Sequence, residues 1–563
     1  MPGIHHLLTA CSGMNHYPLP SVDRAWELFV RAEARDEAAT TDVLMYPLTG
    51  IWISHMLRRL DGVVTEQCPL WMDVGYLHSL SAAAAIRSGV DFALAVPVRA
   101  GTVVLPTLGA ATVGDAETAE VRRVGDDVTV SAGGRTVRLD ADDPHWRPAP
   151  RCSAESDGLR IEFLIDDVDP YRDMRGYSAP DPLDRDDLNR WQQLLTEAWQ
   201  LLVRQDRVRA ESVAASLSTV IPLPAAKPWR PLSASCDEAF AAIMASMPDD
   251  AEQLAATLVH ETQHVKLGAL LHLMTFVDDL GGPLAYAPWR DDPRPLSGIL
   301  QGIYAFIGIT DFWRHRATHI AEYEFALWRI QLANVLGDLR ADPRLTDAGR
   351  DLLANLHATV TGWADVPVAA DILRQATWAA ADHRGQWRAF HLAPPAEWVD
   401  LAASAWTAGE PCPAIPAGQA DPVTDTSARW LDARAVLARI RLADPDQFTI
   451  LAKAPGEIAS QVPGTLPADL ALIAEDAQAA QRGYLRDLTI DPTHPRALVG
   501  LGLAREALGE PLAVLLERPE AIRALAGRID RPHIVALAEW MDGTLPLAEC
   551  VDISTISNLS SSS

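Results

Sequence analysis

Lysine is almost missing from this chain: of 563 residues only Lys227, Lys266 and Lys453 are lysine, so nearly all positive charge is arginine. Acidic residues dominate, 75 Asp and Glu against 48 Lys and Arg, for a formal net charge of −27. That balance argues against unaided binding to nucleic acid or to an anionic membrane, both of which need basic patches. It is compatible with a basic or neutral peptide partner. Closely spaced cysteines are missing too. Cys11, Cys68, Cys152, Cys236, Cys412 and Cys550 stand far apart, which excludes a CxxC redox motif, zinc-finger spacing and a compact disulfide framework. The longest apolar stretch, around Leu80 to Val98, is interrupted by Arg87 and Asp91 and does not read as a membrane span. The opening MPGIHHLLTACSGMNHYPLP has no basic stretch leading into an apolar segment, so a reducing cytoplasm is the expected location.

What is present is globular in kind. Hydrophobic residues at 48% and charged residues at 22% exclude wholesale disorder, and the length predicts two or three domains. The expected fold is mainly α with a β-rich N-terminal part, in four segments. Residues 1–235 read as a mixed α/β domain. Helices at Ala25–Arg35 and Gly50–Arg59 come first, then short β-branched runs from FALAVPV to LRIEFLI separated by Gly-Asp and Gly-Gly turns, as in an antiparallel sheet. A polar connector is expected at 169–187, a helix at Leu188–Ala215, and a further strand in STVIPLPAA. Residues 236–393 read as a helical metal-binding domain, with a Pro-, Ala- and Gly-rich boundary at Pro394–Thr426. Residues 427–547 read as a C-terminal helical part, in which AAQRGYLRDLTIDPTHPRALVGLGLAREALG resembles a tetratricopeptide-like helix pair. Residues 548–563, rich in serine, are expected to be a flexible tail.

The chemistry sits in AEQLAATLVHETQHVKLGALLHLM, a helical pattern containing His260-Glu261-Thr262-Gln263-His264. Residues four apart lie on one helix face, so two imidazoles spaced this way reach one metal ion at about 2.0–2.1 Å. Glu261 is placed to act on a metal-bound water. The metzincin pattern is excluded, because Leu270 stands where its third His would be and Leu267 where its Gly would be. His272 is a weak candidate for a third ligand. The stretch Asp311–Leu339, expected as one long helix, offers His315, His319, Glu322 and Glu324. Glu324, flanked by Phe325 and Trp328, is the preferred ligand, and pairing with an Arg such as Arg329 is the alternative. Between the two helices lies Tyr286-Ala-Pro-Trp-Arg-Asp-Asp-Pro-Arg-Pro, whose Arg290 and Arg294 either clamp a carboxylate or pair with Asp291 and Asp292. Two His and a carboxylate fit both a zinc hydrolase and an Fe(II) oxygenase using a 2-oxo acid.

The chain resembles the bacterial HExxH-motif peptide-modification proteins that act on ribosomally made peptides. The carrying segments are YPLTGIWISHMLRRL (46–60), GYLHSLSAAAAIRSGVDFALAVPVRAGTVVLPTLG (75–109), VHETQHVKLGALLHL (259–273), YAPWRDDPRPLSGILQGIYAFIGITDFWR (286–314) and EFALWR (324–329). The resemblance spans most of residues 40–545. It implies an Fe(II)- and 2-oxoglutarate-dependent oxygenase that hydroxylates a side-chain β-carbon of a precursor peptide, with His260, His264 and Glu324 on the metal and Arg290 and Arg294 on the cofactor acid. Phe306 departs from the pattern, standing where many relatives have His. A zinc peptidase with Glu261 as general base is the second reading, and an idle peptide-binding scaffold the third. The Ser/Thr-rich tail, VDISTISNLSSSS, reads either as a frayed end or as a substrate core fused to its enzyme.

Overall fold

The computed structural model describes residues 18–65, 68–173, 177–278, 281–415, 422 and 424–543. The tail expected at 548–563, and the expected end of order near Leu547, lie outside the described residues. The chain divides into two compact units, residues 1–268 and 269–563, and the division falls inside the helix Ala251–Leu271.

The first unit opens with the helices Val22–Arg35, Glu37–Leu44, Pro47–Leu60, Leu70–Val74 and Tyr76–Arg87. Val22–Arg35 buries Val22, Ala25, Leu28, Phe29 and Ala32 at three- and four-residue spacing, the helical period the sequence displays. Tyr76–Arg87 is buried almost all round, and its run Ala82–Ala85 is fully enclosed; with no side chain beyond Cβ, neighbouring elements pack close to its backbone. Gly50 serves the same purpose in Pro47–Leu60, since a Cβ there would run into the carbonyl of Glu238.

Three sheets follow. Strands β1 (Phe92–Pro97), β4 (Thr118–Val124), β5 (Asp127–Ala132) and β6 (Arg135–Arg138) form an antiparallel meander in the spatial order β1-β4-β5-β6. A second antiparallel sheet has the order β2-β3-β7, from β2 (Thr102–Leu105), β3 (Gly109–Thr112) and β7 (Trp146–Pro148). The third is not the antiparallel sheet expected. Its order is β11-β12-β10-β9-β8, from β8 (Arg151–Ser156), β9 (Leu159–Ile165), β10 (Thr219–Leu223), β11 (Ser233–Ala234) and β12 (Ala242–Ser246). Here β9 and β12 both run parallel to β10. Parallel neighbours need a long crossover, and the helices Arg185–Gln205 and Arg207–Ser216 supply it between β9 and β10. These two helices replace the single one expected, because Asp206 is extended and caps the second by accepting from Arg209 N.

One further expectation is corrected. Residues 236 onward are not purely helical: β12 is a fully buried strand. The start of the polar connector expected at 169–187 is buried: Asp169, Tyr171 and Arg172, like Asp166 and Asp167 just before them, lie in the core of the first unit.

The second unit is helical among its described residues. Leu296–Arg314 and His319–Leu339 are separate helices, so the expected continuous Asp311–Leu339 is broken at 315–318, where Thr318 caps the second by accepting from Ala321 N. Then come Asp347–Thr361, Ala370–His391 and Ala396–Ala408, the last lying inside the expected boundary stretch. Helices from Ala433–Ala443 to Ile534–Asp542 complete the unit. Their core holds buried ion pairs, in which Arg434 meets Asp382 and Asp469, and Arg388 meets Glu520.

Candidate metal centre

Four residues separate β12 from the motif helix Ala251–Leu271, which is capped by Asp250, accepting from Gln253 N at 2.8 Å. Its buried face carries Leu254, Leu258, Val259, Glu261, Thr262 and Val265, while Lys266 is exposed. His260 and His264 share one face, as the spacing predicts. Their rings meet edge to face with centroids 4.7 Å apart, and their Nε2 atoms are 3.1 Å apart. Two ligand nitrogens at about 2.1 Å from a common ion are separated by about 3.0 Å for a right-angled pair and about 3.4 Å for a tetrahedral one. The observed separation falls between these, so both nitrogens fit one ion. Burial pulls the His260 pKa down to about 4, with His264 adding to the fall and Glu261 opposing it. His260 is therefore neutral at neutral pH and keeps the lone pair a metal needs.

Glu261 is 1% exposed, and its Oε2 has no hydrogen-bond partner. A buried carboxylate oxygen without a partner is costly. Next to two converging imidazoles, a cation or a metal-bound water is the chemistry that would satisfy it. The donor set on this helix thus fits a divalent metal. His272 lies just beyond the helix and is exposed.

The other candidates fall in the second unit. Glu324 is 7% exposed and not bare. Arg439 Nε donates to its Oε1 at 2.6 Å, Arg439 Nη2 to Oε2 at 3.2 Å, and Trp328 Nε1 to Oε2 at 2.8 Å. Its arginine partner is thus Arg439, 115 residues away, and not Arg329, which donates to the carbonyls of Trp363 and Val366. Burial works against the charge of Arg439, but Glu324 outweighs it and holds the guanidinium more firmly protonated than usual. Glu322 accepts from Ala369 N, and His315 ends the preceding helix beside Asp311.

The Arg-rich loop is closed by backbone hydrogen bonds between Ala285 and Arg294. Trp289 stacks on Phe306 with centroids 4.7 Å apart, and Phe306 packs against Trp328 at 4.3 Å. Gly302 makes room for Trp289, since any Cβ there would overlap the indole. Phe306, the position that departs from the family pattern, thus links the loop to the residue that holds Glu324. Arg290 and Arg294 both reach one carboxylate, Asp292, at 3.0 and 3.4 Å. Asp291 is used elsewhere and accepts from the backbone of Trp430 and Leu431. Two guanidinium groups thus share one carboxylate, while the other acid of the loop is held by backbone N–H groups. Burial, and then its neighbour Arg290, lower the Arg294 pKa.

The expected residues therefore gather in three groups: His260 with Glu261 and His264, Glu324 with Arg439 and Trp328, and Arg290 with Arg294 and Asp292. Among the described residues, no group of three or more His, Cys, Asp and Glu is placed to hold one ion. Arg439 carried no local signal for its role, since it is remote in sequence, whereas the pairing of Arg290 and Arg294 with Asp292 is the alternative the sequence offered, and Asp291 takes no part in it. No helix among the described residues is long and apolar enough to cross a membrane. No family model matches the chain, and no curated protein matches it.

Proposed function

We propose that the chain is an Fe(II)- and 2-oxoglutarate-dependent oxygenase that hydroxylates a side-chain β-carbon of a ribosomally made peptide in the cytoplasm. The observation that carries the metal is the 3.1 Å approach of the His260 and His264 Nε2 atoms on a capped, buried helix. The resemblance carries the choice of iron and substrate. When bound, iron with 2-oxoglutarate and O2 turns C–H into C–OH, one oxygen atom going to the product and the other to succinate as CO2 leaves. His260 and His264 would hold the ion, and Glu324, oriented by its hydrogen bonds from Arg439 and Trp328, would be the third ligand. Glu261 orients a water or a ligand from its buried position. Arg290 and Arg294 would offer guanidinium donors to the distal carboxylate of 2-oxoglutarate. The helices Ala477–Ile490 and Pro495–Ala507, read as a tetratricopeptide-like pair, would bind the precursor peptide. The chain's own tail at 551–563 is a second possible substrate.

Metal analysis after anaerobic purification, with assays for succinate and for a gain of one oxygen mass on peptide, tests this reading. Zinc content with peptide cleavage in the absence of O2 and 2-oxoglutarate would replace it with a peptidase. The unpartnered Glu261 Oε2 favours that second reading, because a general base beside a metal-bound water needs such an oxygen. Absence of any bound metal would leave a peptide-binding scaffold.

A further inference from the structure

Asp291 stands between Arg290 and Asp292, two of the three residues in the group where Arg290 and Arg294 share one carboxylate. The backbone at Asp291 therefore sets where both neighbours start, and this residue is held at three atoms. Its carbonyl oxygen accepts from His391 Nε2 at 2.7 Å. Its carboxylate spans two successive backbone N–H groups, Oδ2 accepting from Trp430 and Oδ1 from Leu431, each at 3.0 Å. All of these residues belong to the second unit.

The groups that hold Asp291 are themselves fixed. His391 is buried at the end of the helix Ala370–His391. A carbonyl can only accept, so Nε2 carries the ring proton, and Nδ1 accepts from Asp425 N at 3.3 Å. One tautomer thus ties the loop to the segment that begins at Asp425. Trp430 has a φ of 57°, in the left-handed region that a bulky side chain rarely enters. A left-handed residue lets successive N–H groups converge on one anion, and here the anion is the Asp291 carboxylate. On the far side of the same residue, Arg496 Nη1 donates to Trp430 O at 3.0 Å. Such backbone persists only where its surroundings hold it, and Asp291 supplies part of that hold.

We propose that Asp291 and His391 are positioning residues for the Arg290–Arg294 pair, seating the loop on the N–H groups of Trp430 and Leu431 so that both guanidinium groups converge. Their effect on turnover rests on the reading that these arginines take the distal carboxylate of 2-oxoglutarate; the seating of the loop does not.

Asp291→Asn keeps the shape but turns one acceptor oxygen into a donor, so one of the two N–H groups loses its partner. In the full chain loaded with Fe(II), this change should raise the KM for 2-oxoglutarate about ten-fold or more, the size of a lost charge-assisted hydrogen bond. Metal content, and kcat at saturating 2-oxoglutarate, should stay within about two-fold of the parent. Added to Arg290→Ala with Arg294→Ala, Asp291→Asn should raise KM no further, because Asp291 acts through those two side chains. Hydrogen exchange over residues 285–294, where Ala285 and Arg294 are joined by two backbone hydrogen bonds, should quicken about ten-fold or more in Asp291→Asn and in His391→Phe, and stay unchanged over the motif helix. A parent that consumes no 2-oxoglutarate removes the assigned acid, and the exchange measurement then decides the seating by itself. The proposal is overturned if loop exchange in a folded Asp291→Asn protein matches the parent. It is also overturned if, in an enzyme that consumes 2-oxoglutarate, KM does not move or rises equally without the two arginines.

Discussion

Replacing Arg439 with Met should destabilise the second unit far more than loss of a surface ion pair would. The pair it forms with Glu324 is buried, with side chains 11% and 9% exposed, and is joined by two hydrogen bonds. Removing one partner leaves a carboxylate in the core with only Trp328 to serve it. Stranding a buried charge in this way costs about 3–5 kcal/mol. At about 2 °C per kcal/mol, suited to a large unit, the melting temperature should fall by roughly 6–10 °C. Glu324→Gln added to Arg439→Met removes the stranded charge and should recover most of that loss. Differential scanning fluorimetry of the three proteins decides this, and a fall below about 2 °C for Arg439→Met would refute it, because exposed pairs contribute under about 1 kcal/mol. The same proteins report on the metal. A ligand binding only the folded state adds about 2.7 kcal/mol at a hundred times its Kd. If Glu324 ligates the ion, Fe(II) or Zn(II) also supplies the missing positive charge, so the metal-induced rise should be larger in Arg439→Met than in the parent. Equal rises would remove Glu324 from the ligand set while leaving its structural pairing intact.

Four further outcomes are expected. His260→Ala or His264→Ala should abolish metal content, measured by elemental analysis, and activity with it; stoichiometric metal in either would move the site off this helix. Glu261→Gln should leave substantial succinate formation in an oxygenase but cost about 10²–10⁴-fold in a peptidase, so the ratio of the two activities separates the readings. Arg294→Ala, and to a lesser degree the more exposed Arg290→Ala, should raise the KM for 2-oxoglutarate about ten-fold or more without altering metal content. Asp169, whose pKa is pushed up to about 7 by burial and then by the neighbouring charge of Asp166, favours its protonated form when folded. Its contribution is therefore stabilising at low pH and is lost as pH rises from about 4 to about 7. Melting temperatures across that window should show Asp169→Asn gaining on the parent protein as pH rises, and parallel profiles would contradict the assignment.

How much of this was legible in the sequence depended on distance along the chain. The HExxH spacing, its helix and the strands FALAVPV, DVTVSA and LRIEFLI could be read, because period and side-chain branching are local properties. Strand β3, Gly-Ala-Ala-Thr, carries little β-branching, and β12, Ala-Ile-Met-Ala-Ser, resembles helix by composition, so neither was visible. The segment 169–187 read as a polar connector, yet Asp169, Tyr171 and Arg172 at its start are buried together with Asp166 and Asp167 just before it. This burial is created by Asp73, Tyr76 and Tyr46, 93 to 120 residues away, which satisfy the carboxylates and hydroxyls inside the core. The same applies to Glu324. Its burial could be anticipated from Phe325 and Trp328, but the identity of its partner could not, since Arg439 is brought in by a helix 115 residues later. Sharing of Asp292 by two arginines depends on the bridge between Ala285 and Arg294, a feature of loop closure and not of composition.

The direct passage from β12 into the motif helix sets a rule for which insertions and deletions this protein can accept. Ser246 ends a strand held by hydrogen bonds on both edges, and His260 follows 14 positions later. Each residue added to a helix turns everything beyond it by about 100° and shifts it by about 1.5 Å. One residue inserted between Asp250 and Leu258 would leave the two imidazoles on one face but turn that face by about 100° away from its present surroundings and send Leu258 or Val265 toward water, so displacement of the site and loss of packing would come together. The exposed turn at Asp61–Thr65 carries no such restriction and can change length freely. In diverging copies of this chain, the interval from Ser246 to His260 should therefore keep its length even where few of its residues are retained.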